Sequence, residues 1–184
     1  MTISAASTIV LPEQATTTEA LALFDQLAPV DDLEFMVGRW QGAEISTGHP
    51  MDGLLSITNW YGKEFVSAEC VHPLLFADGK GGTFKVSPNA QLMRTTLSLP
   101  LPKTDVLTPI FSLFSSVLKT DKSQARLRLM EHRGQVSATM IYDHLPINDI
   151  FRKVDENTVL GLMDYKVIEQ PFFFTLTRET PRTA

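Results

Sequence analysis

The feature that most constrains the fold of this chain is a series of short β-like runs, separated by turn residues, that extends from Trp40 to Arg178. In the run at 135–142, apolar residues fill alternate positions, which is the period of a half-buried strand. About ten such strands joined by tight turns favour a mainly β fold, an antiparallel meander that closes into a barrel and so loses its exposed edges. We predict strands at 40–46, 54–60, 63–71, 83–87, 91–98, 125–131, 135–142, 149–154, 158–165 and 171–178.

One helix precedes the strands. Thr16 and Glu19 have the spacing of a capping box, apolar residues follow at helical spacing, and Pro29 ends the pattern. We predict a flexible N-terminal arm over residues 1–15 and a single β-barrel domain over residues 16–184.

A second apolar segment interrupts the strands near residues 109–118. Its apolar residues, which include Phe111 and Phe114, recur at helical spacing, and serines fill the remaining face. A short helix here is either a lid over the barrel mouth or a plug that forms part of the core.

Charge and cysteine content exclude several classes of protein. The net charge is −5, no Lys or Arg precedes Arg39, and no basic patch for nucleic acid is evident. The N-terminus lacks the positive region of a signal peptide, and no segment is apolar for the ~20 residues of a membrane span. The single cysteine, Cys70, fits a reducing compartment. We therefore expect a cytoplasmic protein.

Two blocks of sequence, at roughly 33–70 and 125–178, resemble the bacterial and fungal family named for its GxWxG motif and for a second, C-terminal signature of unknown function. The resemblance implies a calycin-like barrel, similar to lipocalins and fatty-acid-binding proteins, with no settled activity. The first block has Gly38-Arg39-Trp40-Gln41-Gly42, Thr47-Gly48-His49-Pro50 and Trp60-Tyr61-Gly62-Lys63; the second has Met140-Ile141-Tyr142-Asp143-His144, Asp149 and Phe151-Arg152-Lys153.

The chemistry of the first motif is consistent with a barrel. Trp40, at the start of the first strand, can close the barrel bottom and bury on the order of 200 Å². Haem-binding barrels share this start, but their haem ligand is a late histidine, and no histidine follows His144. The four histidines have no metal-ligand spacing, and Cys70 has no partner cysteine. We expect no cofactor and no metal, and haem is disfavoured.

Two groups of residues are candidates for chemistry. His49 and Asp52 lie three residues apart in a Gly/Pro-bounded turn, where a carboxylate can orient an imidazole for proton transfer. The alternative is a turn in which Asp52 caps backbone N–H groups and His49 is solvated. Asp143 is a third candidate catalytic residue, in the polar run that ends at Arg152.

An inward-pointing Arg152 can bind a carboxylate or enolate oxygen through two N–H groups. The alternative is that Asp143 and Asp149 close a turn and Arg152 bridges them at the barrel rim. The residues for which we predict ligand contact are Trp60, Tyr61, Lys63, Tyr142, His144, Arg152, Phe111 and Phe114.

Three functions are compatible with these patterns. The first is a barrel that binds a small apolar ligand with a polar or anionic head in its cavity. The second is a cofactor-independent isomerase, dehydratase or cyclase that uses acid/base residues in the same cavity. The third is an assembly protein with a solid barrel, whose 109–118 helix contacts a partner or a second copy in a homodimer.

Overall fold

The computed structural model describes residues 9–88 and 118–180. These residues form a ten-stranded sheet with short helical segments. The helices are α1 (Thr17–Gln26), a 3-10 helix (Leu33–Met36) and α2 (Leu54–Ile57). The strands are β1 (Ala28–Pro29), β2 (Gly38–Ile45), β3 (Trp60–Ser67), β4 (Cys70–Ala77), β5 (Thr83–Lys85), β6 (Ala125–His132), β7 (Gln135–Tyr142), β8 (Ile147–Lys153), β9 (Thr158–Tyr165) and β10 (Ile168–Arg178).

Eight of these strands form a closed antiparallel barrel, in the order β8-β7-β6-β4-β3-β2-β10-β9, with β9 pairing back to β8. The two short strands lie outside this ring: β1 pairs with β8, and β5 pairs with β4. Between β4 and β6, the pairing runs through Val71 and Ala125. The predicted antiparallel barrel of about ten strands is confirmed.

The predicted N-terminal helix and its capping box are also confirmed. Glu19 N–H donates to Thr16 Oγ1, and Thr16 N–H donates to the Glu19 carboxylate at 2.8 Å. The helix covers the outer face of the barrel, where its buried Phe24 packs edge to face on Phe173 of β10, at 6.4 Å between ring centroids. Because of this cover, neighbouring strands such as β9 are buried on both faces.

Trp40 is fully buried among the inward-facing residues of the barrel. Its indole N–H donates to the Met36 carbonyl in the 3-10 helix at 2.8 Å, and the Arg178 guanidinium lies 4.2 Å from the ring centroid. The start of the first long strand is therefore tied to both the preceding helix and the last strand.

The structure corrects the prediction in the region 54–71. The predicted strand at 54–60 is a turn of helix instead: Gly53 adopts the left-handed conformation at φ 81° and precedes α2. Asn59, also left-handed, then redirects the chain into β3. The predicted strand at 63–71 is two strands, because the chain turns between Ser67 and Cys70. Local apolar content does not distinguish these alternatives, since turns depend on backbone conformation.

The predicted strand at 91–98 lies outside the described residues, as does nearly all of the helix predicted near 109–118, including Phe111 and Phe114. Within the two described ranges, no helix is long and apolar enough to cross a lipid bilayer.

Candidate functional site

Three polar side chains meet inside the barrel. Lys63 Nζ lies 2.9 Å from Asp149 Oδ2 and 3.5 Å from Tyr142 Oη. The side chains of Lys63 and Asp149 are only 4% and 1% exposed, and Tyr142 is also buried. We call Lys63, Asp149 and Tyr142 the interior polar cluster.

The ion pair crosses the barrel from one wall to the other. Lys63 belongs to β3 and Asp149 to β8, which are opposite strands of the eight-strand ring. Asp149 faces inward with Ile147 and Phe151, since alternate residues of a strand share a face. Lys63 shares the inner face with its register partner Trp40. The strand register therefore brings two residues 86 positions apart into contact.

Aromatic rings surround the Lys63 ammonium. Its Nζ lies 4.9 Å from the centroid of Phe174, 5.5 Å from that of Trp60 and 5.7 Å from that of Tyr142. The same nitrogen donates a hydrogen bond to the Pro73 carbonyl at 3.3 Å. Ring faces and carbonyl oxygens both attract a cation, so this environment partly replaces the water that the ammonium loses.

Two polar atoms beside the cluster have no hydrogen-bond partner among the described residues. They are Asp149 Oδ1, an acceptor, and Trp60 Nε1, a donor, and both are buried. A buried polar group without a partner costs roughly 1–3 kcal/mol. Each such group calls for an explanation, and a bound ligand that supplies the missing partner is one.

Burial changes the acidity of the cluster. It raises the pKa of the Asp149 carboxyl above its ordinary value, while the nearby Lys63 ammonium opposes this rise. Burial also raises the pKa of the Tyr142 phenol well above 10, and the Asp149 charge adds to that effect. Asp149 therefore holds a proton more readily than an exposed aspartate, and Tyr142 retains its hydroxyl hydrogen.

His49 and Asp52 organise the loop after β2. The Asp52 carboxylate accepts hydrogen bonds from the backbone N–H groups of Thr47 and His49, each at 2.9 Å. His49 is buried, and its Nδ1 accepts the Met51 N–H at 3.0 Å. Its Nε2, which then carries the hydrogen, donates to the Gln170 carbonyl at 3.1 Å. These bonds hold the loop against β10, and a catalytic role for the two residues stays a prediction.

Asp143 and His144 are exposed in the turn between β7 and β8. The Asp143 carboxylate pairs with Arg126 at 2.8 Å. Neither residue belongs to the interior polar cluster, so their predicted roles in catalysis and ligand contact receive no geometric support from that cluster.

Arg152 points away from the barrel interior, contrary to the inward orientation considered above. It is fully buried beneath α1, where its guanidinium lies 4.8 Å from the Phe24 centroid and donates to the His132 carbonyl at 3.0 Å. Arg152 and Phe151 are consecutive and therefore face opposite sides of β8.

Tyr61 lies beside the surface pair of Arg39 and Glu179, with the Arg39 guanidinium 5.4 Å from its ring centroid. Burial raises the pKa of its phenol, and the neighbouring Glu179 contributes in the same direction. Of the residues predicted to contact ligand, the structure thus brings together Trp60, Lys63 and Tyr142.

Sequence reasoning missed two members of this site. Asp149 was predicted at the start of a strand, with the closing of a turn as the alternative, and was not among the expected ligand contacts; Phe174 was not singled out. The alternation of Ile147, Asp149 and Phe151 is the signal that places Asp149 on an inner face. Among the described residues, no group of three or more His, Cys, Asp or Glu could hold a metal ion.

Comparisons with known proteins agree with the two sequence blocks. A family model described as "GXWXG protein" matches residues 22–81, and one described as "Domain of unknown function (DUF4334)" matches residues 123–178. The crystal structure of a protein from Thermomonospora curvata is similar, with 33% identity over 91% of each chain and a TM-score of 0.67. A comparison with curated proteins gave no match.

Proposed function

Because this chain belongs to the GXWXG family and carries its companion domain of unknown function, its activity must be inferred from its own barrel, and we propose that the barrel binds a small apolar molecule whose polar head contacts the interior polar cluster. The observation that carries this proposal is the buried Asp149 Oδ1, which has no partner among the described residues.

The energetics of the cluster support a functional role. Replacing a buried ion pair by apolar residues of similar volume is often neutral or stabilising. The surrounding barrel residues, such as Phe65 and Phe151, are apolar and closely packed, so stability alone does not require a charged pair at this position. A ligand group that donates to Asp149 Oδ1 compensates part of the cost of burying the pair.

The charge of the cluster favours a neutral head group. Lys63 and Asp149 neutralise each other at 2.9 Å, and the predicted anion-binding residue, Arg152, lies on the other face of β8. A carboxylate head would therefore place an uncompensated charge beside Asp149 in an apolar interior. A hydroxyl head avoids this cost, because it can donate to Asp149 and accept from Tyr142 or Trp60, and a carbonyl head avoids it by accepting from Tyr142 or Trp60.

Half-buried apolar residues provide a route to the cluster. Leu54 and Leu55 of α2, together with Trp60, are partly exposed and pack against the barrel core. Because Trp60 also borders Lys63, the proposed path of entry passes this indole, which must move aside to admit an apolar molecule.

The first test is native mass spectrometry of the gently purified protein, followed by denaturation and identification of any released molecule. We expect a stoichiometric, neutral, largely apolar adduct. The quantitative test is a titration with cinnamyl alcohol and with cinnamate, followed by tryptophan fluorescence. Tighter binding of the alcohol than of the carboxylate supports the proposed head group, and the opposite order contradicts it.

A double variant identifies the binding site. Lys63→Met/Asp149→Leu removes both charges and leaves no unpaired ion, so the fold is preserved while the polar contacts are lost. Cinnamyl alcohol should then bind much more weakly. The matched control is Arg128→Met/Glu69→Leu, which removes a surface ion pair and should bind the alcohol as the wild type does. Equal binding by both double variants would contradict the proposed site.

A second function, a cofactor-independent enzyme acting on an apolar substrate, rests on the raised pKa of Asp149 next to the Tyr142 hydroxyl. Asp149 would transfer a proton, and Tyr142 would stabilise the developing oxyanion in an isomerisation, dehydration or cyclisation. If the wild type and Asp149→Asn release the same molecule on denaturation, the result favours a binding protein. If only the variant retains a molecule that the wild type would convert, the result favours an enzyme.

The proposal also includes a cytoplasmic location, which the lone Cys70 favours. A homodimer stays a prediction, and size-exclusion chromatography with light scattering tests it.

A further inference from the structure

Lys63 differs from every other lysine that the structure describes. It is 3% exposed inside the barrel, whereas the other lysines within residues 9–88 and 118–180 are exposed or half-buried. Its amine nitrogen faces three aromatic rings, and a carboxylate and a phenol lie beside it at 2.9 and 3.5 Å. A primary amine in an apolar enclosure with two acid/base groups has the composition of a site for carbonyl chemistry.

We propose that Lys63 is a covalent attachment site that forms a protonated imine with an apolar aldehyde, with Asp149 as the counterion. This inference rests on the proposed function, since the aldehyde is a ligand whose neutral polar head reaches the same cluster.

Charge conservation within the barrel supports this reaction. An ammonium and a protonated imine both carry one positive charge, so the Lys63–Asp149 ion pair is retained after the reaction. No charge is buried or released, and the desolvation energy of the pair changes little. The aromatic rings that surround the ammonium are also suited to a delocalised cation of larger apolar area.

The reaction balances with the groups that are present. Asp149 accepts one proton from the ammonium, and the freed nitrogen lone pair attacks the carbonyl carbon, while the carbonyl π electrons move to oxygen. The new C–N bond leaves a positive charge on the nitrogen, which passes one proton to the alkoxide, and the adduct becomes a neutral carbinolamine. Asp149 then returns its proton to the hydroxyl, water leaves, and the nitrogen lone pair forms the C=N bond. The sum is R–CHO and Lys63–NH₃⁺ giving R–CH=NH⁺–Lys63 and H₂O.

The positions of the two acid/base groups match these steps. Burial raises the pKa of Asp149, which favours the protonated carboxyl group that is needed between the two proton transfers. Its Oδ1 has no partner among the described residues and so is available to the carbinolamine hydroxyl, while Oδ2 contacts the nitrogen. The Tyr142 hydroxyl can donate to the developing alkoxide.

The experiment uses cinnamaldehyde as the probe and the full-length protein. The protein is incubated with the aldehyde, reduced with sodium borohydride, and analysed by intact mass and peptide mapping. We expect one adduct per chain, with the mass of the probe less one oxygen atom, on Lys63. Cinnamyl alcohol, which cannot form an imine, should suppress the labelling by competition.

Variants separate the roles of the two residues. Lys63→Arg keeps a cation beside Asp149 and should remove the adduct, while the control Lys85→Arg, at a half-buried surface ion pair, should label as the wild type does. Asp149→Asn should slow labelling by about 100-fold, the scale of general acid–base catalysis. Circular dichroism and thermal melting confirm that each variant is folded. If Lys63→Arg does not fold, peptide mapping of the labelled wild type still shows whether Lys63 carries the adduct.

The outcomes distinguish the two proposals. Binding of cinnamyl alcohol without a Lys63 adduct overturns the imine and leaves the binding function in place. Labelling confined to surface lysines also overturns the imine. Absence of both alcohol binding and the adduct contradicts the binding function together with the imine.

Discussion

The indole of Trp60 lies directly over the Cα of Gly42, so closely that a Cβ at residue 42 would overlap the ring. Phe174 is placed over Gly161 in the same way. Trp60 and Phe174 are two of the rings around the Lys63 ammonium, and their centroids are 6.0 Å apart in an edge-to-face arrangement. The second glycine of the GxWxG motif therefore makes room for a wall of the candidate site.

The first prediction concerns Gly42→Ala. The added methyl group must displace Trp60, because the indole occupies its space and the strand is fixed on both sides. We expect the free energy of unfolding to fall by about 1–3 kcal/mol, the usual cost of overpacking. Urea denaturation measures this change, and the tryptophan emission spectrum should shift with it.

Gly82→Ala is the matched control, since a Cβ there meets only the exposed side chain of Asp78, whose displacement costs at most its hydrogen bonds to the Lys80 and Gly82 N–H groups. Wild-type stability and an unchanged emission spectrum for Gly42→Ala would show that Trp60 is not held by this contact.

The second prediction concerns the stability of the Lys63–Asp149 pair. Lys63→Met alone leaves a buried carboxylate without its cation and should lower the free energy of unfolding by about 3–5 kcal/mol at neutral pH. Lys63→Met/Asp149→Leu should lie within about 1 kcal/mol of the wild type or above it, since the apolar pair has no desolvation cost. Chemical denaturation of the single and double variants gives the coupling energy.

The comparison pair is Arg128–Glu69 on the surface, whose removal should change stability by no more than about 1 kcal/mol. If Lys63→Met lost no more stability than this control, the result would mean that the interior pair is hydrated in solution.

The third prediction tests the two roles considered for Arg152. Because its guanidinium lies beneath α1 and contacts Phe24, Arg152→Met should leave cinnamyl alcohol binding unchanged. The variant should instead weaken the attachment of α1, which hydrogen exchange of the helix amides would detect. If Arg152→Met lost alcohol binding while the α1 amides exchanged hydrogen at the wild-type rate, the result would support an arginine that anchors the ligand.

The fourth prediction is a dependence of stability on pH that arises from His72. Burial and the nearby Lys85 lower its pKa below the ordinary 6.5, while Glu64, Asp121 and donation from the ring to the Lys122 carbonyl oppose this shift. The folded protein therefore binds a proton less readily than the unfolded chain, and the stabilising effect present above pH 6.5 is lost as the pH falls.

His72→Gln should accordingly show a smaller loss of stability between pH 7 and pH 5 than the wild type does, measured by urea denaturation at each pH. His132, whose pKa burial also lowers, contributes in the same direction, so part of the slope should remain. An identical slope in the variant would assign the pH dependence to other groups.

The strands whose bounds the sequence predicted well are those that lie between tight turns. Residues 135–142 and 158–165 have the predicted bounds, since each is flanked by turn residues that end the apolar pattern. The segment 54–71 was mispredicted, because its apolar residues fit a strand equally well and only the left-handed Gly53 and Asn59 decide otherwise.

The candidate site was predicted in part. Trp60, Lys63 and Tyr142 were among the expected ligand contacts, and the structure places them together. Asp149 and Arg152 are three residues apart on β8 and face opposite sides of it; Asp149 points inward, whereas the inward residue considered from the sequence was Arg152. The alternation of Ile147, Asp149 and Phe151 groups these three side chains on one face of β8, but a shift of one residue in the assumed strand phase exchanges the two faces, so the register decides which face is inside.

The sequence by itself determined the barrel class, the capped helix α1 and the family, because period, capping chemistry and motif spacing are local properties. Only the tertiary structure decided that Lys63 and Asp149 meet across the barrel and that Arg152 lies beneath α1. Those contacts depend on ring closure, strand register and the helix that covers β8 and β9, and each of these is a long-range property of the packed chain.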